Sequence, residues 1–223
     1  NVKLSLSVGA SQSKRESHGQ QISHNGSSLS AGNVSLSTTE GDLNVAGSNV
    51  TATNRLTLAS ARDINLTATQ DSDTYNSSNK NSGWSAGVFV GYNGNSYGFG
   101  FEASGQVGKG KENSETTTQT NSRLNAAQVE LTSANDTTLR GATVNATGLT
   151  ADIGNDLTIE SLQDSGHYDA KQTQSGAEVS IAYGSGGSGA VNFSQSKARM
   201  NYAQVAEQSG FNVGDGGMDV NVS

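Results

Sequence analysis

The sequence predicts an all-β protein built of right-handed parallel β-helix (β-solenoid) coils interrupted by antiparallel β-hairpins. Three observations lead there. Apolar residues fall in i, i+2 couplets with a polar residue between, the period of a strand with one buried face. The couplets recur at roughly 21 residues, the length of one solenoid coil. A larger block, Leu29–Tyr75, returns roughly 95 residues later as Leu124–Tyr168.

In that block, Leu29-Ser-Ala-Gly-Asn-Val34-Ser-Leu36 matches Leu124-Asn-Ala-Ala-Gln-Val129-Glu-Leu131, and Asp63-Ile-Asn-Leu66 matches Asp156-Leu-Thr-Ile159. Gln70-Asp-Ser72 returns as Gln163-Asp-Ser165, and Ser11–Lys14 returns as Ser194–Lys197. Four segments follow. Residues 1–28 read as the end of a preceding repeat, 29–123 and 124–210 as two repeat units, and 211–223 as the start of a next repeat. Repetition on this scale favours a scaffold, because a catalytic pocket needs one unique constellation.

Within Leu29–Ala68 the couplets are Val34/Leu36, Leu43/Val45, Leu56/Leu58 and Ile64/Leu66. Gly, Asn, Asp and Ser fill the gaps, as turns require. In the second block Val129/Leu131 precedes Leu149/Ala151, and Leu139 precedes Leu157/Ile159. Each block reads as two coils whose inward Val, Leu and Ile stack, each burial worth roughly 1.5–3 kcal/mol. Asn and Thr at the corners are expected to form ladders between coils.

Between the blocks the pattern becomes continuous alternation. Trp84–Tyr92 and Tyr97–Ala103 read as a hairpin, 84–103, about the loop Asn93-Gly-Asn-Ser96. Pairing about that loop sets Tyr92 opposite Tyr97, Val90 opposite Phe99, Val88 opposite Phe101 and Ala86 opposite Ala103, all on one face. The other face carries Ser85, Gly87, Gly91, Gly98, Gly100 and Glu102, with Phe89 the exception. A weaker second hairpin spans 179–193, and Val2–Val8 reads as the returning arm of an earlier one. Ser11–Ser28, Lys109–Ser122 and Ser194–Gly210 read as polar connectors, each opening on a basic pair: Lys14/Arg15, Lys109/Lys111 and Lys197/Arg199.

Composition suits this architecture. Only 32% of the 223 residues are hydrophobic and 15% charged, too lean for a helical globule but enough for the thin core of a repetitive β-structure. There is no proline, so no strand loses a ladder donor, and no cysteine, so disulfides and thiolate chemistry are excluded. No apolar run approaches the roughly 18 residues of a membrane helix, and no signal peptide is visible. A net charge of −7 argues against nucleic acid as a partner.

The runs Leu139-Arg-Gly-Ala-Thr-Val144-Asn, Asn155–Ser165 with Tyr168, and Ser209–Val222 resemble the haemagglutinin repeats of large two-partner-secreted exoproteins. That family comprises CdiA-type contact-dependent growth inhibition toxins and filamentous haemagglutinins. The resemblance implies a segment that is secreted, displayed on the bacterial cell surface and exported by an outer-membrane partner transporter. It further implies a role in carrying a toxin through the outer membrane of a target cell, by way of that membrane or a receptor in it. The alternative within the family is an adhesin shaft that binds host surfaces.

Other motifs carry less. Gly105–Lys111 has phosphate-loop spacing, but Glu112 stands where Ser or Thr is needed. His18, His24 and His167 have no recognised ligand spacing, and Gly214–Asp219 is a single calcium-repeat-like fragment. We therefore expect no catalytic residues, metal, cofactor or small-molecule substrate. The candidate membrane or partner contact is the hairpin face: Trp84, Val88, Val90, Tyr92, Tyr97, Phe99 and Phe101. Each arm is near the roughly 9–11 residues a tilted membrane strand needs. For the soluble form the expectation is a hairpin folded flat against the solenoid with this face buried, since an exposed apolar ribbon invites aggregation.

Overall fold

A computed structural model describes residues 2–92, 94, 97–183 and 186–223. Among these residues every regular element is a strand, and three sheets form. In chain order the strands are β1 (Val2–Ile22), β2 (Ser28–Ser37), β3 (Leu43–Ala46), β4 (Asn49–Ser60), β5 (Ile64–Thr67), β6 (Thr69–Tyr92) and β7 (Tyr97–Thr120). The second half holds β8 (Ser122–Ser133), β9 (Thr137–Arg140), β10 (Ala142–Ile153), β11 (Leu157–Glu160), β12 (Asp164–Ala182), β13 (Gly186–Gln204) and β14 (Gly210–Val222). The chain divides into two compact units.

One unit comprises Gln21–Asp73, Thr116–Gly166 and Tyr202–Ser223. Its strands pair in parallel, in the orders β14-β10-β8-β4-β2 and β11-β9-β5-β3. The couplets pair as their spacing demands. Val34 sits beside Leu56, Leu56 beside Val129 and Val129 beside Leu149. Leu36, Leu58, Leu131 and Ala151 form the next column, and Val45, Leu66, Leu139 and Ile159 a third. Leu56, Leu58, Ile64, Leu66, Val129 and Leu139 are wholly buried. Thr137 fills the place beside Ile64 where the second block has no aliphatic; it is wholly buried, and its hydroxyl is 2.8 Å from that of Ser133. Burying a hydroxyl is tolerable only with such a partner.

The expected polar ladders are present. Asn145 donates to Asn125 at 2.8 Å, Asn212 to Asn145 at 2.8 Å and Asn65 to Asn44 at 2.9 Å, each between neighbouring parallel strands. The parallel sheet continues without a break, because β8 pairs directly with β4 although the whole of β6 and β7 lies between them in sequence. Ser122, fully buried at the re-entry point, donates its hydroxyl to the Thr67 carbonyl at 2.7 Å and accepts the Ser48 N–H at 3.2 Å. Gly47 and Gly141 occupy equivalent turns at φ +54° and +66°. A Cβ on Gly141 would lie 2.5 Å from that of Ala68.

The other unit comprises Asn1–Gln20, Thr74–Glu115 and His167–Asn201, and its sheet has the order β1-β6-β7-β12-β13. Neighbours run antiparallel. The Ser85–Ser104 hydroxyl contact at 2.7 Å and the Tyr92–Tyr97 ring pair at 4.7 Å set the β6–β7 register that the sequence pattern implies. The loop Asn93–Ser96 lies outside the described residues except for Gly94.

The connectors need correction. Lys109–Ser122 lies almost wholly in β7 and β8, Ser194–Gly210 largely in β13, and Ser11–Ile22 in β1. The hairpin is accordingly far longer than 84–103. These segments lack proline, and each is held extended by the backbone ladder to its neighbours, with partners on both sides for β7 and on one side for the edge strands β1 and β13. They read as connectors only because both faces are polar.

Leu56→Ala is expected to cost about 2–5 kcal/mol in urea denaturation, whereas Leu4→Ala, at an exposed position, stays within about 0.5 kcal/mol. Gly141→Ala is expected to destabilise by at least about 1–3 kcal/mol through its left-handed backbone. Gly105→Ala, in open space on a strand, is expected to be neutral or stabilising by up to about 1 kcal/mol.

Candidate contact surface

Strand alternation assigns each ribbon residue to a face. On β6 the even positions Trp84, Ala86, Val88, Val90 and Tyr92 share one face; on β7 the odd positions Tyr97, Phe99, Phe101 and Ala103 join them. The usual burial is inverted. Trp84 is 56% exposed, Phe101 62% and Tyr97 81%, and Val88, Val90, Tyr92 and Phe99 are exposed as well. The glycine-bearing face is half-buried or buried from Gly87 through Gly91 and at Gly98 and Gly100.

Phe89 explains the difference. Its ring lies over Gly100, where a Cβ would come within 2.4 Å of Cζ. Lys3 Nζ stands 4.1 Å above the same ring and 2.8 Å from Glu102. The glycine face therefore closes on itself, with Phe89 filling space its small neighbours leave. The expectation that the aromatic face is buried is corrected: all seven candidate side chains are exposed, since the space-filling side chain points the other way.

The apolar face is wider than the hairpin. Gly87 stands opposite Ser7 and Gly9 opposite Ser85, which places Val2, Leu4, Leu6 and Val8 of β1 on the same side as Val88. Across the other edge, the Tyr183 N–H donates to the Phe99 carbonyl at 2.8 Å and the two rings stack at 5.5 Å. Alternation from Tyr183 adds Ile181 and Val179, and Val191 and Phe193 of β13 follow from the contact of Gly176 with Asn192. All are exposed. Sequence reasoning found each alternating run separately; the signal that unites them is a shared parity, visible only once the register is known.

The remaining candidates are dispersed. The His24 backbone N–H donates to Asp71 at 2.7 Å, and its ring stands 3.6 Å from the same carboxylate. His167 contacts Asn201, and His18 lies on β1. Partial desolvation, helped by the hydrogen bond it donates to Glu112, raises the Tyr168 pKa. Gly105–Lys111 is strand rather than loop, and so is Gly214–Asp219. Among the described residues no group of three or more His, Cys, Asp or Glu is placed to hold a metal ion, and no helix is long and apolar enough to cross a membrane; crossing by strands is a separate matter.

Comparison with known proteins places this surface in a family context. The family model of the hemagglutinin repeat matches residues 8–177. Relatives include a tRNA nuclease CdiA of Yersinia mollaretii, 41% identical over 99% of this chain and 8% of its own length. Toxin CdiA of Escherichia coli is 40% identical over 99% of this chain, and deoxyribonuclease CdiA of Dickeya dadantii 35% over 99%; each is covered over 7% of its length. The chain thus spans less than a tenth of the length of each of these three relatives. No solved structure matches. The hemagglutinin-repeat region is a structural part of such proteins, and this chain, matched by the repeat model over most of its length, belongs to the hemagglutinin-repeat family.

Proposed function

We propose that this chain is a non-enzymatic extracellular repeat segment of a CdiA-like contact-dependent growth inhibition exoprotein. Its parallel coils wind as a right-handed β-solenoid within a surface filament, and its ribbons assist delivery of a toxin across the outer membrane of a target cell. Residues 29–123 and 124–210 are successive repeat units, with 1–28 and 211–223 belonging to flanking ones. The segment is secreted to the cell surface through an outer-membrane partner transporter. The nuclease activities named for its relatives belong, on this reading, to other parts of those longer proteins.

The observation that carries this reading is the inverted alternation of the ribbon. A water-facing sheet hides its apolar side; here that side is exposed and the glycine side is half-buried. Membrane strands have the same outward apolar face, with aromatic residues toward both ends. Trp84 stands at one end of the β6 run and Tyr92 at the other, separated by roughly 27 Å at strand rise, close to an apolar band of about 25 Å. The absence of cysteine suits passage of an unfolded chain through a transporter pore.

The test is a competition between inhibitor cells displaying the full exoprotein and sensitive target cells. Val88→Asp/Phe101→Asp is expected to leave surface display unchanged and to lower target killing by at least about tenfold, since charge on a lipid-facing strand is strongly disfavoured. Normal display with undiminished killing contradicts the proposal.

A further inference from the structure

The exposed face of the five-stranded sheet carries a second feature below its apolar band. Of the seven lysines in the chain, six fall on this face: Lys14, Lys80, Lys109, Lys111, Lys171 and Lys197. Register places them together. The contact of Gly83 with Ser11 sets Lys80 beside Lys14, and that of Gly110 with Asn79 sets Lys80 beside Lys109. The contact of Gly110 with Gln172 sets Lys111 beside Lys171, and that of Gly176 with Asn192 sets Lys171 beside Lys197. The result is two adjacent cross-strand rows, Lys14–Lys80–Lys109 and Lys111–Lys171–Lys197. Arg15, the other half of the first basic pair, points to the opposite face.

Three facts distinguish this belt from an ordinary solvated charge run. Like charges directly opposite on adjacent strands destabilise a sheet, so the rows cost stability where local carboxylates do not offset them. On the same face Glu16 pairs with Lys14 at 2.6 Å and also acts on Lys80, and Asp169 is held by Arg199 at 3.3 Å, but among the described residues no carboxylate lies within 4 Å of the five belt lysines other than Lys14. Charge is also segregated. The unit that holds this sheet has nine Lys and Arg against six Asp and Glu, while the other has four against fourteen. An acidic chain thus keeps six of its seven lysines beside its apolar face, where Val107, Lys109, Lys111, Lys171, Thr173 and Ser175 line a hollow of about 500 Å³.

We propose that this face docks on a lipid surface bearing anionic phosphate headgroups, the lysine belt taking the phosphates and the apolar band entering the acyl layer. The inference rests on the membrane reading above and deepens it by assigning the headgroup chemistry. Along β6 the first belt lysine, Lys80, lies four residues from Trp84, roughly 13 Å at strand rise. Interfacial aromatics flanked by cations in this order match the layering of a bilayer surface, from acyl chains to headgroups.

The test measures binding of the full chain to vesicles of phosphatidylcholine alone and of phosphatidylcholine with 30% phosphatidylglycerol, at fixed ionic strength. Each lysine near an anionic surface contributes about a fivefold gain, so Lys109→Gln/Lys111→Gln/Lys171→Gln is expected to lose on the order of a hundredfold on the anionic vesicles. Its weak binding to phosphatidylcholine is expected to persist, and its thermal midpoint to hold or rise as the lysine rows are relieved. Arg55→Gln/Arg62→Gln/Arg140→Gln, with the same change in net charge, is expected to bind as the unmodified chain does. If the lysine variant binds anionic vesicles undiminished, or the arginine variant loses as much, the belt inference is overturned while the apolar reading stands. If Val88→Asp/Phe101→Asp binds both vesicle types normally, the apolar reading itself fails. A chain that binds neither vesicle type and sediments as a dimer dissociated by Val88→Asp/Phe101→Asp has this face covered by a second copy, which also overturns the proposal.

Discussion

In-register stacking of aliphatic side chains along parallel strands is the interaction on which the rest of this protein depends. Each strand offers only a few apolar residues, far too few to close a core alone. Aligned between two neighbours, the inner couplets become wholly buried, as Leu56, Leu58, Val129 and Leu131 are. Register is the condition: with a side-chain period of two, a slip of one residue would turn an entire column into water. Asn145, held between Asn125 and Asn212, sets the same register from the polar side. Such ladders resist slippage without enlarging the core.

That arrangement frees the ribbons from any part in making the core. Because β4 and β8 pair directly, the long excursion between them leaves the column continuous. The excursion can therefore carry a surface that a self-contained globule would have to hide. Phe89, Gly100 and the Lys3–Glu102 pair pack the opposite face, leaving the aromatic side open. An exposed apolar sheet is an aggregation hazard, and a protein that retains one has a use for it. The flanking lysines add to solubility while supplying a complementary partner for phosphate.

The stacking of parallel strands is legible in the sequence because the couplets obey both a local period and a longer one of roughly 21 residues. Spacing alone pairs Val34 with Leu56 and Val129 with Leu149, and alternation gives the hairpin register; that the two pairs continue one column follows only from the β4–β8 pairing. The column Leu29, Val50, Leu124, Val144 and Phe211 is not legible from spacing. Register shifts between Ala31 and Asn33, between Thr51 and Arg55, and between Ala146 and Gly148 break the alternation inside these long strands. The polar stretches of the ribbons read as connectors in sequence, since strand character there comes from pairing with neighbouring strands rather than from a hydrophobic pattern. The breadth of the candidate surface was hidden for a related reason. Val2–Val8, Val88, Ile181 and Phe193 are far apart in sequence, and only inter-strand register puts them on one face. The same holds for the lysines, which look like scattered basic pairs until Arg15 is seen to face away from Lys14.

The central claim is that β4 and β8 stack directly in parallel register although the long excursion through β6 and β7 separates them in sequence. The most direct measurement is disulfide formation in a chain that has no native cysteine. Thr57 and Glu130 are partners on β4 and β8, at a separation within reach of a disulfide. Thr57→Cys/Glu130→Cys is predicted to oxidise readily to an intramolecular crosslink, and Thr57→Cys/Thr132→Cys, displaced by two residues, is not. Equal crosslinking of both pairs, or preferential crosslinking of the displaced pair, would contradict the account.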